Sequence, residues 1–424
     1  MTTAPTRTPA QEAIAFVDGT PEGSEQENSA QEDNAQENSA QQRLPLTALV
    51  VLAAMGFILV ATETMPAGLL PVIAAGLHTG EGTVGLLVSA YALGTVIVTI
   101  PAIMLTRGMR RKPLLLGGIA GLVLATTVTA VSPDVTLSLV SRFFAGAFSG
   151  IIWGMLAAYG RRISPPRHAG LSLAIVSTGA PLGFAFGTPL GAWIGTAFDW
   201  RWSFGALSAL GVIVAALILG CVPDAAGQPR ASRLPLGRVF KIPGVAVILA
   251  VIVAWMLAHS TIYTYIAPYL RATGTGLSAS LVLLVYGIAS VVGVAVTGAL
   301  LDRHPRPLLH LSVTVFVASG LILLIGHASV VAILIAAALW GLTFGGASAQ
   351  VQGPLTTAGG DNADVANAFL PVAFNLAIFG AGILGALLLT PFDGLALPAV
   401  MIALGITALL LTLYGRRSAF PRRL

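Results

Sequence analysis

The chain has 424 residues, of which 56% are hydrophobic and only 9% are charged, with a formal net charge of +5. A soluble domain carries about 25% charged residues, and no soluble fold of this length can bury so much apolar surface, so the excess has to face lipid. The single cysteine, Cys221, excludes an internal disulfide.

The first 44 residues are different in composition. Residues 1–42 hold eight acids and one base, and the pentads QENSA, QEDNA and QENSA follow one another from residue 26 to residue 40. Such a sequence cannot build a core, so we predict a disordered acidic tail that is solvated rather than a binding module. It lacks the basic start and apolar stretch of a secretory signal.

Apolar runs long enough to span a bilayer, about 20 residues each, then follow one another to the end of the chain. Twelve spans are predicted, near residues 46–73, 83–106, 113–132, 135–159, 168–196, 202–222, 243–270, 278–301, 308–327, 329–355, 364–390 and 396–414. The predicted fold class is therefore an all-α membrane protein with twelve transmembrane helices in two six-helix bundles.

Lysine and arginine predict the orientation. The loops after the even-numbered spans, the central linker and the two tails hold 19 of the 22 bases, which places both termini in the cytoplasm. A bacterial-type cytoplasmic membrane is the expected location. The predicted domains are a tail at 1–44, a first bundle at 45–222, a cytoplasmic linker at 223–241, a second bundle at 242–415 and a basic tail at 416–424.

Among the aspartates, glutamates, lysines and arginines, two lie deep in the predicted spans, Glu63 in span 1 and Arg142 in span 4. A charge at the centre of an inserting helix costs about 2.5–3.5 kcal/mol, so both should face a protein interior or a water-filled cavity. One interpretation is a structural Glu–Arg pair that locks two helices. The other is that Glu63 takes up and releases a proton during transport, with Arg142 tuning its proton affinity.

An internal repeat supports a doubled architecture. At an offset of 196 residues the loop AIMLTRGMRRKPLL aligns with GALLDRHPRPLLHL, so that Arg107 falls on Arg303 and Arg110 on Arg306. The same offset places His259 opposite Glu63. Parallel repeats of this kind predict two bundles that rock about a midplane site.

These loops resemble the G-x-L-x-D-R-x-G-R-[KR] motif of the major facilitator superfamily, in its twelve-spanner drug:proton antiporter branch. The resemblance implies a cytoplasmic gate that is held by charge contacts with a neighbouring helix end. Thr106 stands where the family has aspartate in the first copy. The matching residues of the two copies are Arg107, Arg110, Arg111, Asp302, Arg303 and Arg306.

Two further motifs carry the resemblance. SRFFAGAFSG in span 4 is similar to the family's R-x-x-x-G element, with Arg142 and Gly146, and STGAPLGFAFGTPLGAWIG in span 5 resembles the antiporter motif. Glycines at four-residue spacing let another backbone approach, and prolines permit bending. In the family this helix lies between the two halves. The motif residues are Gly179, Gly183, Gly187, Pro189 and Gly191.

The segments TETMPAGLLPVIA, FDWRWSF, HSTIYTYIAPYL and FNLAIFGAGILG are similar to sugar-efflux, arabinose-efflux and chloramphenicol-exporter-like permeases. The second half has no carboxylate within a span, which favours a neutral, moderately lipophilic or hydroxylated substrate. Each cavity candidate taken alone is more often a packing or interfacial residue than a ligand contact. The candidates are Tyr91, Trp153, His259, Tyr263, Tyr265, Gln350 and Asn375.

The sequence thus predicts proton-coupled export by alternating access. A sugar or nucleoside uniporter or importer is the alternative within transport, and a non-transporting membrane sensor or assembly factor is the alternative outside it. The chain shows no phosphate-binding glycine loop, no metal-ligand cluster and no nucleophile–base pair. We therefore predict that transport is not driven by ATP, that the protein binds no cofactor or metal, and that it is not an enzyme. The expected partners are a small-molecule substrate, protons and the lipid bilayer. No nucleic-acid partner is expected, and the protein is expected to function as a monomer.

Overall fold

A computed structural model of the chain describes residues 44–106, 108–226, 242, 244–360, 366–367, 369–416 and 419–420. Four predicted features lie wholly or mainly outside these residues. They are the acidic tail, most of the central linker, Arg107 of the first gate motif and most of the basic tail at 416–424.

Twelve helices in the described ranges are long and apolar enough to cross a membrane, which confirms the predicted number and the all-helical class. We label them α1 to α12. Their bounds are Leu46–Gly76, Glu81–Thr106, Arg111–Val131, Val135–Arg162, Pro166–Ala197, Trp200–Cys221, Val245–Thr264, Ala279–Leu300, Pro305–Ile325, Val330–Gly359, Leu370–Phe392 and Gly394–Tyr414.

Span 7 differs most clearly from its prediction. The sequence predicted a continuous helix to residue 270, whereas α7 stops at Thr264, and a separate two-turn helix runs over Ile266–Thr273. The backbone leaves the helical region at Tyr265, between the two pieces. The second helix then ends at Gly274, which takes the left-handed conformation that glycine adopts without steric cost.

Polar caps mark one end of the helix array. The helices α4, α6, α8 and α10 each begin after a side chain that accepts a hydrogen bond from a backbone N–H of the first turn, namely Asp134, Asp199, Ser278 and Ser329. These caps satisfy donors that would otherwise lack partners at the helix start. We call the other end, where α2 leads into α3 and α8 into α9, the arginine-rich end.

Close backbone contacts repeat in the two sets of six helices. A Cβ added to Gly146 in α4 would lie 1.8 Å from the Tyr91 carbonyl oxygen in α2, and one added to Gly341 in α10 would lie 2.1 Å from the Tyr286 carbonyl oxygen in α8. Both residues of the second pair follow those of the first by 195 positions. The doubling that the sequence suggested is therefore present in the packing as well.

The two sets also contact each other. Within the membrane-spanning part, α2 packs along α11 and α5 packs along α8. The Ser89 hydroxyl in α2 donates to the Phe379 carbonyl in α11 at 2.9 Å. At the capped end, Arg271 pairs with Glu81 across the two sets. These contacts position the residues of the candidate site.

Candidate functional site

Arg142 joins four helices at the centre of the first set. Its side chain is fully buried in α4. Nη2 donates to the Glu63 carbonyl oxygen of α1 at 3.1 Å, and Nε donates to the Leu87 carbonyl oxygen of α2 at 3.4 Å. The guanidinium also lies over the rings of Tyr91 and Phe204, at 4.6 and 5.7 Å from their centroids. A buried cation is stabilised here by carbonyl oxygens and aromatic faces.

The Glu63 carboxylate lies beside this cation without forming an ion pair with it. Glu63 is about 9% exposed, and no cation of the described residues approaches its carboxylate oxygens within 4.0 Å. Its Oε1 and the Nη1 atom of Arg142 are both buried and have no hydrogen-bond partner in that part of the chain. Arg142 holds the backbone of Glu63 and leaves the carboxyl group available for another partner.

Tyr91 belongs to the same centre. Its ring faces the guanidinium of Arg142, and its hydroxyl donates to the Leu59 carbonyl oxygen at 3.4 Å. The close approach of Gly146 to the Tyr91 backbone sets the distance between α2 and α4. The predicted R-x-x-x-G element therefore has a physical role, because the glycine brings together the helices that Arg142 bridges.

The second set holds most of an aromatic cluster where the first set holds charges, and Phe184 of α5 completes this cluster. The His259 ring lies 3.7 Å from that of Phe344 at an interplanar angle of 9°, and its Nδ1 accepts a hydrogen bond from Trp340 Nε1 at 3.0 Å. His259 and Tyr263, two of the predicted cavity candidates, are both buried. The aromatic cluster consists of Phe184, His259, Tyr263, Tyr286, Trp340 and Phe344.

The other predicted cavity residues lie elsewhere. The Tyr265 hydroxyl donates to the Gly382 carbonyl at 2.6 Å and so joins α11 to the break in span 7. Gln350 Nε2 donates to hydroxyl groups of α8 and α9. Asn375 Nδ2 donates to a carbonyl of its own helix, and Trp153 is half-buried in α4. The structure does not gather all seven candidates in one cluster, and their contact with substrate stays a prediction.

The predicted glycine stripe of α5 faces α1 of its own set. A Cβ on the first glycine would lie 2.0 Å from the Ala53 carbonyl oxygen, and a Cβ on the last would lie 2.0 Å from Sδ of Met65. All four glycines bring α5 against α1 in this way: Gly179, Gly183, Gly187 and Gly191.

The opposite side of α5 contacts the second set. Residues Gly183–Gly187 form a π-helical turn that ends just before Pro189. Phe184 in this turn enters the aromatic cluster, and a Cβ on Gly287 of α8 would lie 2.3 Å from the Ala185 Cα. The helix thus lies between the sets, but its glycines pack within the first set and the residues between them form the contact with the second.

The first gate motif is held by a residue that the sequence interpretation missed. Asp224, just after α6, accepts from Arg110 Nε at 2.6 Å and from the Lys112 backbone N–H at 3.0 Å. The pKa of Asp224 is lowered, chiefly by the hydrogen bond from the Lys112 N–H. The Arg111 N–H donates to the Ala225 carbonyl at 2.9 Å. Asp224 is the sole acid of residues 223–241, a signal that was available in the sequence.

Neither Thr106 nor the second copy of the motif forms an ion pair like that of Asp224 among the described residues. Thr106, which replaces the family's aspartate, bonds to the Ala102 carbonyl of its own helix at 2.6 Å. In the second copy, Asp302, Arg303 and Arg306 form no ion pair among the described residues. The two loops that look alike in sequence therefore differ in their electrostatic contacts.

Twelve apolar helices in two related sets, with a buried acid and base in one set, define a polytopic helical membrane protein. The family model described as Major Facilitator Superfamily matches residues 52–379, more than three quarters of the chain. The chain belongs to this superfamily, whose members are typically transporters rather than enzymes.

Proposed function

We propose that this transporter exports a neutral small molecule in exchange for protons, and that Glu63 carries the proton. The observation that supports this proposal is the state of the buried Glu63 carboxyl group. It forms no ion pair with a described cation, and its Oε1 has no hydrogen-bond partner among the described residues. Arg142 instead donates to the backbone carbonyl oxygen of Glu63. A carboxyl group that is not committed to an ion pair can bind and release a proton without breaking the helix contacts around it.

The character of the second set favours a neutral substrate. Its described spanning helices contain no aspartate or glutamate, and the aromatic cluster offers ring faces and few charges. Glu63 is the sole buried acid of the described spans that a cationic substrate could contact, since Glu81 at the start of α2 pairs with Arg271. Drug-like, sugar-type and nucleoside-type molecules remain the substrate classes to be screened.

The test is an accumulation screen in an efflux-deficient host, with and without a protonophore. It covers chloramphenicol-like drugs, lipophilic cations, sugars and nucleosides, and it compares the wild type with Glu63→Gln. The matched control is Asp393→Asn, an exposed carboxyl-to-amide change at a positive-φ position where asparagine is tolerated. We expect export that the protonophore abolishes, that Glu63→Gln loses and that Asp393→Asn keeps.

Other outcomes separate the alternatives. Accumulation that rises with the protein present would identify an importer or uniporter. Export against a gradient by Glu63→Gln, with its pH dependence intact, would show that Glu63 does not couple protons. Binding of a compound without its movement in liposomes would favour a sensor or assembly factor.

A further inference from the structure

The two sets of helices differ in charge balance at the start of their third helix. In the first set the N-terminus of α3 carries an anion, because Asp224 bonds to the Lys112 N–H and pairs with Arg110. Lys112 Nζ is satisfied as well, by the Leu219 carbonyl at 2.8 Å. An anion at this place is stabilised by the helix dipole and by the cations together.

The equivalent place in the second set has the cations without the anion. Both α3 and α9 have 21 residues, and their starts lie 194 positions apart, so Arg306 takes the place of Lys112. This register differs by two residues from the 196-residue offset of the sequence alignment. The segment that follows α12, residues 415–424, contains four arginines and no acid that could match Asp224.

Three arginines and two histidines surround an open cleft of about 630 Å³ between the start of α9 and the end of α12. None of the three guanidinium groups lies within 4.0 Å of a carboxylate in the described part of the chain. Nε2 of His310 is buried there without a hydrogen-bond partner. The residues that line the cleft include Arg303, His304, Arg306, His310, Leu413 and Arg416.

We propose that this cleft binds the phosphate headgroup of an anionic phospholipid, in the position that Asp224 occupies in the first set. Phosphate matches guanidinium groups in charge and in hydrogen-bonding geometry. A helix N-terminus contributes to binding the same charge.

A lipid fits this place better than a soluble phosphate. The cleft lies at the end of two membrane-spanning helices, and its wall includes the exposed side chain of Leu413. Leu410, one turn further along the same face of α12, is exposed too. An acyl chain attached to a phosphate in the cleft would follow this apolar surface into the bilayer. Basic clefts between spanning helices are a known form of anionic-lipid site.

The test measures binding of phosphatidylglycerol to the purified full-length protein by native mass spectrometry, with phosphatidylcholine as the zwitterionic reference. The variants are Arg306→Gln and Arg416→Gln. The matched control is Arg161→Gln, which removes one exposed cation from the arginine-rich end of α4. We expect each cleft variant to bind phosphatidylglycerol about fivefold more weakly, whereas the control binds as the wild type does.

A second arm distinguishes the source of the phosphate. Inorganic phosphate and glycerol 3-phosphate at millimolar concentration should leave the bound phosphatidylglycerol in place. Displacement by either would overturn the lipid assignment in favour of a soluble anion. Equal weakening by all three arginine variants, or equal binding of the two lipids by the wild type, would show that no specific site exists in the cleft.

Discussion

Substitution of Gly146 by alanine tests how the centre of the first set is built. A Cβ at this position would lie 1.8 Å from the Tyr91 carbonyl oxygen and 2.6 Å from its carbon. A carbon and a carbonyl oxygen in contact are about 3.3 Å apart, so α2 and α4 would have to separate locally by about 1.5 Å. The atom in the way belongs to backbone, so a change of side-chain rotamer cannot relieve the clash.

The magnitude follows from two opposing effects. Forcing an extra methyl group into a packed contact costs about 1–3 kcal/mol, and a backbone obstacle places this case at the upper end. Alanine recovers about 1 kcal/mol relative to glycine within a helix. We expect Gly146→Ala to lower the free energy of unfolding by about 2 kcal/mol. It should also weaken the bond from Arg142 to the Leu87 carbonyl, because the helices that this bond joins move apart.

Gly117→Ala provides the control. Gly117 is an exposed glycine of α3, and a Cβ there would meet no atom within 4 Å. The same substitution should therefore stabilise the protein slightly, by up to about 1 kcal/mol. A denaturant titration of the purified protein in mixed micelles measures the free energy of unfolding of both variants. If Gly146→Ala proves as stable as Gly117→Ala, the close approach of α2 and α4 is not the constraint that we infer.

Three further predictions concern contacts elsewhere in the molecule. Trp340→Phe removes the donor to His259 Nδ1 and should cost about 0.5–1.5 kcal/mol in the same unfolding assay; unchanged stability would contradict that hydrogen bond. Arg271→Gln and Glu81→Gln each break the ion pair between the two sets at the capped end. Each should raise the labelling of cysteines introduced at that end, and the double variant should raise it no further. Additive increases would show that the two side chains act separately. Asp224→Asn should reduce transport at every pH above the ordinary carboxyl value without moving the pH profile, because the pKa of Asp224 is lowered and its ion pair with Arg110 is lost only as the pH falls through that lowered value. A shifted profile near neutral pH would place a titrating group at this contact.

The spans and the buried charges could be predicted from the sequence because both depend on local composition. Twenty apolar residues in a row have few other solutions, and a charge among them is conspicuous. The contacts made by Arg142 could not be predicted in the same way. Its acceptors are the backbone carbonyls of Glu63 and Leu87, and a sequence does not show which carbonyl a guanidinium will reach across three helices.

The aromatic cluster shows the same limit. His259 and Tyr263 share a helix face, so their proximity could be expected from spacing alone. Trp340, Phe344 and Phe184 reach them from two other helices, and each looks like an ordinary apolar residue in its own span. Asp224 was missed for a different reason. It follows the end of α6, and its composition placed it in the linker. The neighbouring basic loop nevertheless indicated that a carboxylate would lie near it to balance the charge.

His259 occupies the place that the repeat alignment matches to Glu63, so the two residues are rival carriers of a coupling proton. The structure favours Glu63. His259 Nδ1 already accepts the Trp340 hydrogen bond, and a proton on that nitrogen would break the bond inside a cluster of aromatic rings. His259→Asn can place a carbonyl oxygen near the position of Nδ1, so we expect this variant to keep the pH dependence of transport while losing some stability. Glu63→Gln should do the reverse: its stability should be near normal, but proton-driven export should be lost, so that any downhill transport that is left does not depend on pH. Loss of pH dependence in His259→Asn alone would move the coupling proton to the second set and would overturn the assignment to Glu63.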